Sequence, residues 1–312
     1  MKRGIVLTTL IVVGALSMAV AGFQGQPAAQ AAGQAAGAGR GRGADVPKVA
    51  ELEKVRDTLY LLKGGGGNTA VFITDLGVVV IDTKLAGWGQ PMMEKIKTIT
   101  KKPVVTLINT HAHGDHTGSN EFFGTAVEIV AQENTRLNMD KMPVFKGDKV
   151  NYLPKLMFKE KMSLSTGKDK IDLYYFGAGH TSGDAFVVFP ALRLMHAGDM
   201  FAGKTPPLID TNNGGSGLAY PDSLAKAASS IKNVDTIITG HAATMMMWPD
   251  LQEYAQFNKE FRDAVLTGYH HGLSIDEVAS AWTLSDKYKG YTAQPARVKA
   301  NVLAIFGELT KP

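Results

Sequence analysis

Apolar residues occur in short runs near the start of the folded region and in helical spacing toward its end. Leu59-Tyr60-Leu61-Leu62, Thr69-Ala70-Val71-Phe72-Ile73 and Val78-Val79-Val80-Ile81 are rich in β-branched and aromatic residues and are split by glycines, which predicts a series of hairpin strands. The glycines Gly64–Gly67 lack a following Lys-Ser/Thr, so they read as a turn between strands and not as a phosphate loop. Pro91–Lys101 places Met92, Met93, Ile96 and Ile99 at helical spacing, and Pro103 ends that helix before a buried strand, Val104–Ile108. Glu121–Phe123 and Asn134–Met142 are short helical candidates. A second strand series covers Ile171–Phe176, Phe186–Phe189 and Leu194–His196; Ser223–Ile231 is a helix, and Thr236–Thr239 a last strand. From Leu251 the pattern is helical, with a capping box at Ser274 and Glu277 and a further helix over Ala296–Leu309. This order of elements predicts an α+β fold in which two packed sheets carry helices on their outer faces.

The first 44 residues differ in composition from the rest. Lys2 and Arg3 precede an uncharged, largely apolar stretch from Gly4 to Met18, and Ala19-Val20-Ala21 has the small-x-small form of a cleavage site. Residues 1–21 are therefore expected to be a secretory signal peptide cut after Ala21, an uncleaved N-terminal anchor being the alternative. Residues 22–45 are dominated by Gly, Ala and Gln, a composition expected to remain a flexible linker. The folded body is then 46–250, followed by a helical extension over 251–312 that packs on the same domain. Lys2, Arg3, Arg40 and Arg42 account for the whole net charge of +4, because residues 1–44 contain no acid. The folded body is formally neutral, which argues against a nucleic-acid partner. The chain has no cysteine, so disulfides, thiolate ligands and a cysteine nucleophile are excluded. Periplasmic or secreted localisation, with no stable membrane insertion once the leader is cut, is the expectation.

The chemistry is concentrated in Asn109-Thr110-His111-Ala112-His113-Gly114-Asp115-His116-Thr117-Gly118. Three of the chain's eight histidines fall within six positions, directly after a strand. In an extended loop His111 and His113 point the same way, while Asp115 and His116 turn toward a neighbouring position. Imidazole and carboxylate are suitable zinc ligands. Gly114 and Gly118 are expected to let the backbone wrap closely round the ions. Three later segments each follow a glycine with a ligand-type residue near a strand end: Gly179-His180-Thr181, Gly198-Asp199-Met200 and Gly240-His241. Rigid scaffolds commonly present sites on such loops. Seven candidate ligands exceed what a closed structural zinc site uses.

The ordered motifs His-x-His-x-Asp-His, Gly-His-Thr, Gly-Asp and Gly-His, spanning about Val46 to Trp248, resemble the metallo-β-lactamase superfamily. The resemblance implies an αββα sandwich with the metals at one edge between the sheets. It implies that His111, His113 and His180 hold a first zinc, that Asp115, His116 and His241 hold a second, and that Asp199 bridges them. Asp82 matches a structural aspartate bracing the metal loop. The implied reaction is hydrolysis of a small-molecule lactam, ester, lactone or thioester by a metal-bound hydroxide, with Asp115 orienting the nucleophile. The same nitrogen and oxygen donors suit iron or manganese, so a non-haem iron oxidoreductase of persulfide dioxygenase type is the alternative.

Asp199 stands where many β-lactamases of the superfamily carry a cysteine, which shifts the resemblance toward thioesterases and lactonases; export favours the β-lactamase-like reaction. Lys204 is a candidate for binding a substrate carboxylate. Thr211–Gly217 is either a substrate loop or a cluster of turns. His196 reads as a buried, hydrogen-bonded histidine, His270-His271 as a helix end, and Met245–Trp248 as core.

Overall fold

The structure, a computed structural model, describes residues 48–311; the expected leader and the expected linker lie outside the described residues. The first sheet has seven strands in sequential order: β1 (Glu51–Lys54), β2 (Leu59–Lys63), β3 (Thr69–Ile73), β4 (Val78–Ile81), β5 (Val104–Ile108), β6 (Glu128–Gln132) and β7 (Leu156–Phe158). β1 to β4 are antiparallel neighbours; β4 to β7 pair in parallel, with crossovers that include α1 (Gly89–Ile99), the single turn α2 (Gly114–Thr117) and α3 (Glu133–Lys141). The second sheet contains β8 (Lys161–Leu164), β9 (Ile171–Tyr174), β10 (Phe186–Phe189), β11 (Leu194–His196), β12 (Thr236–Ile238) and β13 (Met246–Met247). The remaining helices are α4 (Tyr220–Ser230), α5 (Trp248–His270), α6 (Ile275–Ala281) and α7 (Pro295–Leu309).

Alternation along the strands builds four layers. Val79 and Ile81 of β4 face the second sheet, while Val78 and Val80 face Met92 and Ile96 of α1. In β10, Val187 and Phe189 face the first sheet, and Phe186 and Val188 face Leu224, Leu251 and Tyr254 of α4 and α5. Both strands are buried on both faces, which is why they are continuous apolar runs. Between the sheets, Phe72 and Phe189 meet edge to face with ring centroids 5.0 Å apart.

Strand direction places the site. The parallel pair β4–β5 ends in register at Ile81 and Ile108, and β11–β12 ends at His196 and Ile238. β9 runs in the same direction as β11, since both are antiparallel to β10. The loops carrying Asp82, residues 109–118, His180, Asp199 and His241 therefore all leave strands at one edge of the sandwich.

The pattern-based reading missed β1, β6, β7 and β8. β1 and β8 show little apolar alternation because their residues are mostly exposed or half-buried. Met246 and Met247, expected as core, instead form an edge strand on β12, with Met247 exposed. The capping box opens α6 as expected: Ser274 accepts from Glu277 N, and Glu277 accepts from Ser274 N at 2.8 Å. α7 packs Val298, Val302 and Ile305 against Phe261 and Val265 of α5.

Candidate metal centre

The loop after β5 changes conformation within a few residues. His113 is extended, and Asp115 and His116 sit on the turn of α2, where the His116 and Thr117 amides return to His113 O at 3.0 Å. This bend divides the ligands. The side-chain donors of His111, His113, His180 and Asp199 lie within 4.8 Å of one another, and those of Asp115, His116 and His241 form a second such group. Asp199 lies between them: its Oδ2 is 3.6 Å from His180 Nε2 and 3.2 Å from His241 Nε2, and its Oδ1 is 3.4 Å from His116 Nε2. All seven ligands inferred from sequence thus converge. His111, His116 and His180 are fully buried, whereas Asp115 and His241 reach solvent and mark the open side.

Each buried histidine has one ring nitrogen held from outside the site. Asp82, at φ 63°, accepts from Thr110 N at 2.8 Å, from Thr110 Oγ1 at 2.7 Å and from His116 Nδ1 at 2.7 Å. Thr110 Oγ1, donating to Asp82, accepts from His111 Nδ1 at 3.0 Å. His113 Nε2 donates to Asp210 Oδ2 and His180 Nδ1 donates to Leu208 O, both at 2.7 Å. These bonds orient the rings and turn the opposite nitrogens inward. His113 Nδ1 and His180 Nε2 face each other across 2.9 Å, a spacing that a shared proton or a metal ion between them would satisfy. His111 Nε2 and Asp199 Oδ1 are buried without any hydrogen-bond partner. Buried, unpartnered acceptors beside a cluster of imidazole and carboxylate groups fit a divalent metal.

Electrostatics separates the two groups. Burial, with His116 and His180 nearby, holds His111 well below the ordinary imidazole range, and burial also lowers His180. Burial opposes charge on His116 too, but Asp82 and Asp199 override it and push it up to about 10. Asp199 raises His241. Without metal, His111 and His180 are held uncharged beside the Asp199 carboxylate, while His116 and His241 favour the protonated form, whose proton an ion must displace.

Three supporting residues were not read from the sequence. Lys84 is fully buried, and its Nζ donates to Leu62 O at 2.9 Å and Gly67 O at 2.8 Å, closing the glycine turn. That turn presses on the metal loop: a Cβ on Gly66 would lie 2.7 Å from Asp115 Cβ, and one on Gly67 2.2 Å from His116 Cε1. Asn68 Nδ2 donates to Thr239 O and Ala242 O at 2.9 Å, holding the His241 loop. Asp210 holds His113. Its signal was an Asx turn: Asp210 Oδ1 accepts from Asn212 N and Asn213 N. Of the expected glycine roles, Gly118 is sterically required, its Cβ meeting Ala86 N at 2.4 Å, but a Cβ on Gly114 would meet nothing.

Lys204 is not part of the convergent set. Its Nζ is 2.7 Å from Asp250 and 3.4 Å from Glu253, both on α5. His196 is buried and bonded to Asn68 O and Gly198 N. Asp184 caps the His180 loop through Thr181 N and Oγ1.

A sequence profile described as the Metallo-beta-lactamase superfamily matches residues 62–241, the stretch that contains every ligand. The chain belongs to the metallo-beta-lactamase superfamily. By that membership it is a metal-dependent hydrolase. A metallo-beta-lactamase type 2 from Elizabethkingia meningoseptica is 28% identical over 222 residues, covering 64% of this chain and 81% of that protein. Among solved structures, a metallo-beta-lactamase from Pontibacter korlensis superposes with a TM-score of 0.59 at 19% identity, over 67% of this chain and 99% of that one. A stereoselective inverting sec-alkylsulfatase from Pseudomonas sp. superposes with a TM-score of 0.68 at 16% identity, over 84% of this chain. The chain spans half the length of that sulfatase.

Proposed function

We propose that the protein is a binuclear zinc hydrolase that cleaves a carbonyl-containing bond of a small molecule, in the manner of a β-lactamase. The observation that carries this is the pair of ligand groups that meet at Asp199, with His111, His113, His116 and His180 each held by an outward hydrogen bond. Bound divalent ions supply two things here: they polarise a carbonyl and lower the pKa of a shared water to about 7.

The protein's own residues do the rest. His111 and His180, buried and held uncharged, close the inner end, with His113 beside them. Asp199 sets the spacing of the two groups. Asp115 Oδ2, 3.4 Å from His241 Nε2 and partly open to solvent, accepts a hydrogen bond from the attacking water and orients it toward the substrate. Substrate enters over Asp115 and His241, the exposed side of the centre. No Ser, Cys or Lys nucleophile is required. Export fits the basic start, the apolar run and Ala19-Val20-Ala21, and N-terminal sequencing of the exported protein should begin at Gly22.

Asp115→Asn tests the assignment. The variant should fold and retain the first group's metal, while kcat on a nitrocefin, ester, lactone and thioester panel falls about 100- to 10,000-fold. Near-normal turnover of that variant would refute the role of Asp115.

A further inference from the structure

The helices after Trp248 lie beyond every metal ligand, yet α7 reaches the centre through one segment. Asn301, 1% exposed, donates from Nδ2 to Pro207 O at 2.9 Å. Two turns on, Glu308 accepts from Gly217 N at 2.6 Å and from the Ser216 hydroxyl. Ile305, on the same face, fills the space beside Gly217, where an added Cβ would lie 2.5 Å from its Cγ1. α7 therefore grips residues 207–217 at both ends.

Between those grips lie the outer partners of two first-group histidines. Leu208 O takes His180 Nδ1, and Asp210 takes His113 Nε2, each at 2.7 Å. The segment is also tied to the His180 loop, with Asp210 N donating to His180 O and Ser182 N to Asn213 O, both at 2.9 Å. His111 and His116 are held from elsewhere, through Thr110 and Asp82. The hydrogen-bonded connection from α7 thus runs to His113 and His180.

The geometry points to α7 as a clamp that orients His113 and His180, with Asn301 and Glu308 as positioning residues for the first ion. The inference rests on the two-ion reading of the centre. It assigns the C-terminal helices a part in metal selection and retention besides covering the sheet. Outer hydrogen bonds to ligands set ring orientation and basicity, and their loss typically weakens metal binding about 10- to 100-fold.

The test is zinc titration of the full chain against a chromophoric chelator, with melting temperature measured on the metal-free proteins. Asn301→Leu and Glu308→Gln should each weaken one of the two zinc affinities, Asn301→Leu by about 10-fold, and leave the other unchanged. Asp210→Asn should weaken the same one, and combining it with Asn301→Leu should add little, because both act through one path. Val298→Ala, which loosens α7 against α5 without touching residues 207–217, should lower the melting temperature and leave both affinities unaltered. Unchanged affinities in a folded Asn301→Leu protein, or a Val298→Ala protein that loses zinc in step with its stability, would overturn the clamp. A wild-type protein that binds a single ion would refute the two-ion reading instead, and weakening of that ion by Glu308→Gln would still decide the clamp.

Discussion

Lys84 shows how a single residue can be costly and retained. Burial pushes its ammonium down to about 7 from an ordinary 10.5, against the attraction of Asp82 and Asp115. The unfolded chain then binds the extra proton between about pH 7 and 10.5, so this residue makes stability rise with pH across that window and contributes no slope below it. Compared with the wild type, a Lys84→Met protein should lose that rise, and the stability gap between them should widen from pH 7 to pH 10 by about 1.4 kcal/mol per unit at most. Parallel urea titrations at several pH values measure the gap; a constant gap contradicts the account. His116 acts in the opposite direction. Its raised pKa, about 10 without metal, means that zinc entering the second group must expel a proton. Calorimetric titration in buffers of different ionisation enthalpy should show release of about one proton at pH 8, with affinity rising as pH rises. Metal uptake without proton release would show that the second group is not organised as described.

At the scale of elements, the glycine turn between β2 and β3 is the part where sequence and structure diverge most instructively. Its composition reads as a loose connection, but its backbone is pressed against α2 by the Lys84 bonds. Gly67→Ala puts a Cβ 2.2 Å from His116 Cε1, so it should displace that ring and weaken the second ion more than the first. Elemental analysis after dialysis checks this, and two retained ions would count against it. The strands that carry the ligands were legible because they are short, apolar and bounded by turn residues: Val104–Ile108, Phe186–Phe189 and Leu194–His196 have the same limits in sequence and structure. The seven candidate ligands were legible because metal chemistry concentrates rare residue types in fixed motifs. Their supports were not, because Asp210 acts on a histidine 97 positions away and Asn68 on a loop 171 positions away. Periodicity carries no trace of such pairings; they exist only once the strand ends have been brought to one edge.

On the scale of the whole molecule, the two sheets divide the labour. The first supplies Asp82 and the His111–His116 loop, the second His180, Asp199 and His241, and the outer helices fix what the loops alone would leave loose. Asp199 itself is held from behind by Tyr220 of α4, whose hydroxyl donates to Asp199 O and Met200 O at 3.1 Å. The interface between the sheets is thus part of the centre. Phe72→Ala, which empties the edge-to-face contact with Phe189, should cost about 3–5 kcal/mol and lower metal retention with it, as followed by thermal melting in the presence and absence of zinc. An equal metal affinity in the destabilised variant would show that the sheets and the centre are uncoupled.

The central claim is that two ions share this site and drive hydrolysis. Its most direct measurement is metal content per chain after zinc saturation and gel filtration, taken with hydrolytic turnover before and after chelation. Two zinc ions per chain, with turnover lost in chelator and restored by zinc, is the predicted result. One ion per chain at saturation, iron in place of zinc in the active protein, or hydrolysis that persists after complete removal of metal would contradict it.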